Sequence, residues 1–495
     1  MPVWIGSKRR DGAQLTSSDP ATPSRRVGAA PITTPLEVTA AVSAAQHGFA
    51  EWASLPARER AQVLSRAATW LRERRTTLAA LCVREAGKPW AEADAEVCKA
   101  IDFLEFYARG AVVLGRGRAL FQVPGERNFM HYAPRGVVGV VSPFSLPLAG
   151  PAGMAAAALA TGNAVVLKPA HQTPLCAFVL VEALRDAGVP PETIGLLPGG
   201  PETGAHLVRD PRVATIAFTG STRAGLDIVE AAAQLAPGQR HLKRAVVEMG
   251  GKNCVIVAAD ADLDVAVGAI LRSAFDYAGQ KCSAASRILA DEAIADELLE
   301  RLATAVDALA VGPPEDFATE VGPVIEAAAQ ERIARYATHA ARSGKVVAHR
   351  RVGGDGSEAN GGWYCPPIVI ADVDPSAPAL TDEVGGPLLT VERYGSLDEA
   401  CSRVDALRYA LTGGLFSSDP DVIDAVVART PVGNLYVNRP ITGAMVGRQP
   451  FGGNRLSGTG TKAGGPDYLL HFVEPLVVSE HTASPAKRTP ESTSR

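Results

Sequence analysis

The chain has 495 residues, of which 46% are hydrophobic and 21% charged, an ordinary soluble composition that excludes wholesale disorder. Its 49 basic and 53 acidic residues leave a net charge of -4, so no strongly basic surface for nucleic acid is expected. The seven cysteines are scattered without a Cys-x-x-Cys pair, which argues against a disulfide framework or a metal site and favours a reducing cytoplasm.

The N-terminal region is predicted to be helical. Residues 1–11 contain charges and no apolar run, so they do not resemble a signal peptide. Over the first 110 residues the pattern predicts helices at 35–55, 56–87 and 90–108, because apolar residues recur there every three or four positions.

An uncharged run of 32 residues follows, from 136 to 167, and it is longer than a membrane span requires. Pro143, Pro147 and Pro151 interrupt this run, and proline breaks helices. The sequence therefore predicts a strand at 137–141, a loop, a helix at 151–161 and no membrane span.

Short apolar strands alternate with helices from 137 to about 438. The predicted strands are 137–141, 164–167, 194–197, 215–218, 245–248, 255–257 and 287–290. The predicted helices are 151–161, 173–188, 202–208, 222–234, 264–278 and 293–311. This rhythm predicts an α/β fold with a doubly wound parallel sheet, which binds ligands at the carboxyl ends of its strands.

Two Gly-rich segments, 353–362 and 447–465, interrupt the alternation. The last residues, 481–495, are polar and rich in Ser, Thr and Pro. This tail is expected to be disordered.

Cys282, in GQKCSAASR, is a candidate nucleophile. Most free cysteines are small buried hydrophobes, but the small neighbours of Cys282 leave room for a substrate. Lys281 would favour the thiolate if its charge faces the sulfur. Cys254, beside an apolar strand, fits a buried structural role better.

Three further segments have the residue types of a cofactor or catalytic site. Glu248, in VVEMGGKN, follows a buried strand and is either a hydrogen-bonded structural acid or a general base. The turn FTGST at 218–222 offers amides that suit a pyrophosphate. Lys168 ends the strand VVLKPA, where it either reaches a ribose or phosphate or snorkels to the surface.

Seven motifs occur in a fixed order: SPFSLPLAG, VVLKPA, IAFTGST, VEMGGKN, GQKCS, DEVGGPL and QPFGG. Together they resemble the signature series of the NAD(P)-dependent aldehyde dehydrogenase superfamily over about residues 4–480. The resemblance implies an aldehyde-dehydrogenase-like α/β fold with a Rossmann-type cofactor domain, an α/β catalytic domain and a small β oligomerisation hairpin.

The same resemblance implies a division of the chain. The expected parts are a cofactor domain at 1–118 and 136–249, a catalytic domain at 250–456, and oligomerisation or bridging segments at 119–135 and 457–480. The hairpin, at about 119–132, is expected to pair with 469–480. The resemblance also implies a homo-oligomer, either a dimer or a dimer-based assembly.

In the family that the motifs resemble, a cysteine attacks the aldehyde, hydride passes to the nicotinamide, and a glutamate activates the water that hydrolyses the thioester. Motif matching implies these roles for Cys282 and Glu248. The implied cofactor is NAD, with NADP as a second cofactor, and no metal is implied. The implied cofactor-binding residues are Lys168 for the adenosine ribose, Gly220 and Ser221 for the pyrophosphate, and Glu383 for the nicotinamide ribose.

Longer segments, among them VNRPITGAMVGRQPFGG and SGTGTKAGGPDYL, resemble the Δ1-pyrroline-5-carboxylate dehydrogenase branch, which oxidises L-glutamate γ-semialdehyde. The residues that hold the substrate in that branch match Ser283, Gly443, Ala444 and Phe451. Successive backbone amides suit a substrate carboxylate. A small-molecule semialdehyde is therefore the expected partner, with neither nucleic acid nor membrane.

The chain departs from the family's pattern at several positions. Ser145 replaces the asparagine that supplies an oxyanion donor, Lys99 stands where a glutamate lies near the substrate amine, and Gly385 replaces a phenylalanine that packs on the nicotinamide. His171 replaces a glutamate that reads the ribose 2′-hydroxyl. With His171 the cofactor choice is expected to be less strict, with NAD as the main cofactor and measurable use of NADP.

These departures leave three alternatives open. One is a catalytically weakened family member that serves as a binding or structural subunit. Another is an acyl-transferring enzyme that uses coenzyme A as acceptor, against which the presence of Glu248 argues. The third is a dehydrogenase for another amino-acid-derived or dicarboxylic semialdehyde.

Overall fold

The computed structural model describes residues 1–10, 12–350 and 361–482. Residues 353–360 of the Gly-rich loop and 483–495 of the predicted tail lie outside the described residues. His481, also predicted as tail, is instead the last residue of a strand. No helix in the described part of the chain combines the length and hydropathy that a membrane crossing needs.

The general prediction that the N-terminal region is helical missed four strands that come before the first predicted helix at residue 35. These are β1 (Val3–Ile5), β2 (Lys8–Arg10), β3 (Gln14–Asp19) and β4 (Thr22–Pro31). Trp4 of β1 pairs with Leu196 in an antiparallel contact at a sheet edge, and β3 and β4 form their own antiparallel ribbon. Edge pairing with distant residues, which has no local signature, overrides the short-range pattern here.

Four helices follow: α1 (Pro35–Ser54), α2 (Ala57–Glu73), α3 (Arg75–Ala86) and α4 (Trp90–Leu114). Thr34 and Glu37 form a reciprocal capping box at the start of α1, which satisfies amides that the first turn leaves unpaired. The single helix predicted at 56–87 is two helices, because Arg74 leaves helical geometry with φ -110° and ψ 13°. Gly87, at φ 67°, ends α3 in the left-handed conformation that glycine adopts readily.

Two strands lie between α4 and the first alternating block, β5 (Arg118–Ala119) and β6 (Glu126–Pro134). The strands of the first alternating block are β7 (Val137–Val141), β8 (Ala164–Lys168), β9 (Ile194–Leu196), β10 (Val213–Thr219) and β11 (Arg244–Glu248). Its helices are α5 (Ala149–Ala160), α6 (Pro174–Asp186), α7 (Pro201–Arg209) and α8 (Thr222–Ala233). The predicted order of strands and helices in this block is confirmed, with ends that move by at most two residues.

The first sheet has the order β11-β10-β7-β8-β9-β1-β2, and its strands from β7 to β11 are parallel. Apolar cores cover both faces, since Val138 belongs to one buried cluster and Val137 to another. In this register Thr219 pairs with Glu248 and Val141 with Lys168. The carboxyl ends of these strands therefore bring two of the predicted site residues to one edge of the sheet.

The second block begins at Asn253. Its strands are β12 (Asn253–Val257), β13 (Ala285–Asp291), β14 (Lys345–His349), β15 (Ile368–Ala371), β16 (Leu388–Tyr394), β17 (Tyr409–Ala410), β18 (Thr412–Phe416) and β19 (Asn434–Val437). Its helices are α9 (Leu263–Phe275), α10 (Ala295–Asp307), α11 (Ala327–Ser343), α12 (Leu397–Asp405) and α13 (Pro420–Arg429). The second sheet has the order β14-β15-β16-β13-β12-β18-β19 and is parallel except for β14.

The chain closes with β20 (Asn454–Arg455), which pairs with β17, and with β21 (Val473–His481). Strand β21 pairs with β6 from Val473↔Pro134 to His481↔Glu126, and β5 lies on the other side of β6. A pairing between the segment near 119–132 and the C-terminal segment is therefore present, shifted a few residues from the predicted ranges. The division of the chain into domains stays a prediction.

Candidate active site

Cys282 lies in the turn between α9 and β13. The turn leading to it is unusual, because Tyr277 and Ala278 have positive φ values of 54° and 52° although both are buried. Tyr277 donates a hydrogen bond to the carbonyl of Ala86 (2.9 Å), and a Cβ on Gly279 would lie 2.5 Å from the carbonyl oxygen of Gly386. Such left-handed residues persist where the surroundings fix them, so the path of the chain into Cys282 is set by packing.

Asn253 holds the other side of this turn. Its side-chain amide donates to the carbonyls of Cys282 (2.8 Å) and Ala284 (2.9 Å). Its side-chain oxygen accepts from the amide of Thr412 (3.1 Å). The sequence analysis gave Asn253 no role, although it ends the VEMGGKN motif.

The thiol of Cys282 is neutral in its present surroundings. Burial, together with the charges of Glu383 and Glu248, raises the pKa of Cys282 to about 12, while the charge of Lys99 acts in the opposite direction. The lysine next to the cysteine does not play the part expected from the sequence. Lys281 instead binds Glu92 (2.7 Å), so the cation that lowers the pKa of Cys282 is Lys99.

Glu248 ends β11 and is buried. Its carboxylate accepts hydrogen bonds from the amide of Gly453 (2.9 Å) and the hydroxyl of Thr461 (2.7 Å). A Cβ on Gly452 would lie 2.6 Å from the same carboxylate, so this close approach requires glycine. Burial raises the pKa of Glu248 to about 8, against the effect of these hydrogen bonds and of Lys462.

These contacts bear on the two roles that the sequence left open for Glu248, a structural acid and a general base. The acid is hydrogen-bonded, as a structural residue would be. Its charge nevertheless acts on the pKa of Cys282, and a carboxyl group with a pKa near neutrality can exchange protons at working pH. The role of Glu248 as a general base stays a prediction.

A cavity of about 930 Å³ opens beside Cys282. The predicted residues on its wall are Cys282, Ser145, Lys168, His171, Gly220, Ser221 and Glu383. Apolar side chains of α7 and α8, including Val208 and Ile228, line the same space. A concave site of this size, mostly apolar with a few convergent polar groups, is typical of a small-molecule or cofactor site.

Lys168 is buried at the carboxyl end of β8, and burial lowers its pKa to about 8. A buried amine on the cavity wall excludes the alternative of a snorkelling surface lysine. Its methylene groups lie beside Gly204, where a Cβ would be 3.6 Å from Cδ.

The turn between β10 and α8 differs in detail from the expectation. Ser221 caps α8, with its hydroxyl accepting from the amide of Ala224 (3.4 Å). The amide of Gly220 is not free, because it donates to the carbonyl of Glu248 (3.1 Å). Gly220 therefore lines the cavity without offering that amide to a phosphate.

Glu383 is nearly buried beside Gly250. A Cβ on Gly250 would lie 1.8 Å from the Glu383 carboxylate, which explains the glycine that follows Met249. Burial raises the pKa of Glu383 to about 7, although Arg332 and Lys252 lower it. Gly385 has φ 63° and leaves the space beside it to Arg332, whose Nη2 would be 3.6 Å from a Cβ there.

The predicted substrate residues lie apart from the wall of this cavity. Ser283 is buried next to the nucleophile, with its carbonyl accepting from the hydroxyl of Thr412 (3.2 Å). Gly443 is exposed with φ 78°, and a Cβ there would meet open space. Ala444 is half-buried, and Phe451 pairs with Ala463 through two backbone hydrogen bonds (2.9 and 2.8 Å).

The loop that holds Ser145 is fixed from α4. Glu96 of that helix accepts from the amides of Leu148 (3.1 Å) and Ala149 (2.8 Å), where α5 begins. Lys99 lies one turn further along α4, and its burial lowers its pKa while the charges of Glu96 and Glu92 raise it. Glu96 thus connects α4, which carries Lys99, to the start of α5, three residues after Ser145.

Comparisons with known proteins agree with this arrangement. The profile described as "Aldehyde dehydrogenase family" matches residues 4–478. The 1-pyrroline-5-carboxylate dehydrogenase 1 of Halalkalibacterium halodurans is 43% identical over 441 residues, which cover 89% of this chain and 85% of the relative. The 1-pyrroline-5-carboxylate dehydrogenase of Anoxybacillus flavithermus is 41% identical, covering 97% of this chain and 92% of that one.

Two solved structures superpose over 97% of the chain. A 1-pyrroline-5-carboxylate dehydrogenase from Thermus with bound NAD has a TM-score of 0.93 at 39% identity, and 92% of that chain is covered. Proline utilization A from Bdellovibrio bacteriovorus, inactivated by N-propargylglycine, has a TM-score of 0.95 at 40% identity. The present chain spans 50% of the length of that second protein.

Proposed function

The chain belongs to the aldehyde dehydrogenase family, and from this premise we propose that it oxidises L-glutamate γ-semialdehyde, the open form of Δ1-pyrroline-5-carboxylate, to glutamate with NAD. Relatives named 1-pyrroline-5-carboxylate dehydrogenase share 41–43% of its residues over most of its length. The observation that carries the proposal is the placement of Cys282 on the wall of the cofactor-sized cavity, with Glu248 acting on its charge.

The residues that line the cavity fit a dinucleotide. A buried cation, Lys168, and a nearly buried carboxylate, Glu383, line it together with apolar side chains suited to an adenine. The start of α8 lies at its edge, where a helix favours a phosphate group. NAD, when bound there, supplies the hydride acceptor that makes the reaction an oxidation.

Cys282 carries the covalent chemistry. Its sulfur loses a proton and bonds to the aldehyde carbon, which gives a thiohemiacetal. Loss of hydride from that carbon leaves a thioester on the sulfur. Since the pKa of the thiol is about 12, the proton must leave as the bond forms or after a change of local charge, and the positive charge of Lys99 assists its departure.

Glu248 completes the turnover. Its carboxylate takes a proton from water as the water oxygen bonds to the thioester carbon, the carbon–sulfur bond breaks, and the product leaves as a carboxylate. The hydrogen bonds from Gly453 and Thr461 hold the carboxylate in place. A coenzyme A acceptor would make this buried acid unnecessary, so the geometry favours water.

The substrate's α-carboxylate binds to the amides of Gly443 and Ala444 and to the hydroxyl of Ser283, beside Phe451. What supports this is the open, left-handed conformation of Gly443, because such turns orient successive amides toward an anion. Equal kcat/KM values for glutamate semialdehyde and an uncharged aldehyde of the same length would refute this anchor.

The test of the proposed function is an assay of NADH production. Glutamate semialdehyde is compared with succinic semialdehyde, aminobutyraldehyde and simple alkyl aldehydes at equal concentrations. We expect the highest kcat/KM for glutamate semialdehyde. A higher value for a semialdehyde without an amine would instead establish the dicarboxylic alternative, and no NADH with any of them would favour a weakened binding subunit.

The assembly follows from the terminal sheet. Strand β21 is an edge strand of the β21-β6-β5 sheet, and its apolar Leu476 and Val477 are more than half exposed. We propose that a second copy covers them, which gives a homodimer or a dimer-based assembly in the cytoplasm. Light scattering should show that Leu476→Asp lowers the mass of the assembly, while an unchanged mass would exclude this face.

A further inference from the structure

Glu326 lines the cofactor cavity together with Lys168, but the two residues come from different parts of the chain. Glu326 immediately precedes α11 of the second block, while Lys168 ends β8 of the first sheet. One carboxylate oxygen accepts a hydrogen bond from the side-chain amide of Gln172 (3.2 Å), and the other lies 3.6 Å from Nε2 of His171. Glu326, His171 and Gln172 all line the cavity together with Lys168.

Both sides of this contact are fixed by other residues. Gln280, two residues before the nucleophile, accepts from the amide of Ile325 (2.8 Å) and donates to the carbonyl of Pro323 (3.3 Å). On the opposite side, the hydroxyl of Ser17 donates to the carbonyl of Gln172 (3.3 Å). The carboxylate of Glu326 is therefore held beside His171 by contacts from the turn before Cys282 on one side and from the β3-β4 ribbon on the other.

The surroundings of Glu326 also favour its charged form. His171, Gln172 and Arg332 lower the pKa of Glu326 against the effect of its partial burial. The cavity wall carries further charged groups of both signs, which are Lys168, Glu202, Arg209, Asp227, Glu230, Lys281, Arg332 and Glu383. The site therefore contains a carboxylate at neutral pH even though position 171 is a histidine.

We propose that Glu326 is the residue that sets the choice between NAD and NADP, by supplying from the start of α11 the carboxylate that His171 lacks. The inference rests on the proposed use of NAD and on Lys168 as the neighbour of the adenosine ribose. A carboxylate beside that ribose accepts from a 2′-hydroxyl and repels a 2′-phosphate. The cofactor choice is then stricter than His171 by itself predicts.

The test is direct binding of each oxidised dinucleotide without any aldehyde, by isothermal titration calorimetry. Glu326→Gln keeps the size of the side chain and removes its charge. We expect the ratio of the NADP Kd to the NAD Kd to fall at least tenfold in this variant. Glu331→Gln is the matched control, because it removes the same charge from an exposed position of α11 and should leave the ratio within twofold of the wild type.

Three results would overturn the inference. If Glu326→Gln weakened the binding of NAD and of NADP equally, Glu326 would only connect the two sides of the cavity. An unchanged ratio would show that another group reads the ribose. Failure of the wild type to bind either dinucleotide would remove the NAD assignment itself, whereas an error in the aldehyde would leave the Kd ratios untouched.

Gln172→Ala provides a second, independent measurement. Loss of its amide releases one oxygen of Glu326 without changing the charge. The Kd ratio should fall by less than in Glu326→Gln, about two- to threefold, as expected of a positioning residue. A larger fall than in Glu326→Gln would assign the discrimination to Gln172 instead.

Discussion

The two sides of Cys282 are constructed differently. On one side Glu248 is buried and accepts hydrogen bonds from Gly453 and Thr461, and Gly452 leaves no room for a Cβ beside it. On the other side Ser145 and Lys99 replace the residues that the family's pattern predicts, and Glu96 holds their two segments together. The side that hydrolyses the thioester follows the pattern, while the side that receives the aldehyde departs from it.

This difference separates two properties that a single activity assay would merge. In the proposed mechanism, hydrolysis of the thioester depends on Glu248, whose motif follows the family's pattern. Addition of the aldehyde depends on donors and charges at Ser145 and Lys99, and there the chain is expected to have its own rate and specificity. The following variants test each side separately, from the largest expected effect to the smallest.

Removing the nucleophile should abolish turnover, because both halves of the reaction pass through the sulfur. Cys282→Ala should produce no detectable NADH with any aldehyde. Cys401→Ala is the control, since Cys401 is a buried thiol on α12 in a core cluster away from the cavity. NADH production by Cys282→Ala, or its loss in a folded Cys401→Ala, would contradict the assignment.

Glu248→Gln should stop the reaction after the first hydride transfer. Loss of a general base typically costs a hundred- to ten-thousandfold in rate, and here the cost falls on hydrolysis of the thioester. Intact mass spectrometry after one turnover should show acyl-enzyme, together with a burst of NADH.

The pH dependence of the wild type checks the same step. The pKa of Glu248 is raised to about 8, so the base form increases as pH rises through that value. The rate of hydrolysis should therefore rise from pH 7 to pH 9 and then level off, and this rise should be absent in Glu248→Gln. A fully active Glu248→Gln would remove Glu248 from the mechanism.

Ser145→Asn should raise the rate at which Cys282 adds to the aldehyde. Negative charge develops on the carbonyl oxygen when Cys282 adds, and a serine hydroxyl is shorter than an asparagine amide and rotates more freely. Loss of one such donor typically costs about 2.7–4 kcal/mol. The variant should raise kcat on glutamate semialdehyde at least tenfold, and a drop in kcat would show that Ser145 is itself a positioned donor.

The sequence predicted the strands and helices between 137 and 307 well, since each has its own apolar period. It missed the strands at residues 3–31, because their pairing depends on Leu196 and on contacts within the ribbon. It also assigned to Lys281 the charge effect that belongs to Lys99. Lys281 is next to the sulfur in sequence, but its partner Glu92 lies 189 residues away.

The residues missed at the site share this dependence on distant contacts. Asn253 reaches Cys282 across 29 residues, and Glu326 reaches Gln172 across 154. Neither has a local pattern that sets it apart from an ordinary polar residue. Asn253 had the better signal, because it ends a recognised motif at the start of a buried strand, where an amide needs partners.

The smallest effect is expected at Lys99, and it bears on what the aldehyde side selects. The charge of Lys99 reaches the sulfur, so it also acts on a substrate bound there, and it opposes an ammonium group more than a neutral one. Lys99→Gln should lower kcat for all aldehydes, because the thiol loses a cation that assists its deprotonation.

The informative quantity is therefore the ratio of kcat/KM for glutamate semialdehyde to that for glutaric semialdehyde, which has the same length and no amine. This ratio should rise about fivefold, or about 1 kcal/mol, while Lys345→Gln on the exposed β14 should leave it unchanged. A constant ratio with a lower kcat would confine Lys99 to the sulfur, and the selectivity of the aldehyde side would then depend on Ser283, Gly443 and Ala444 alone.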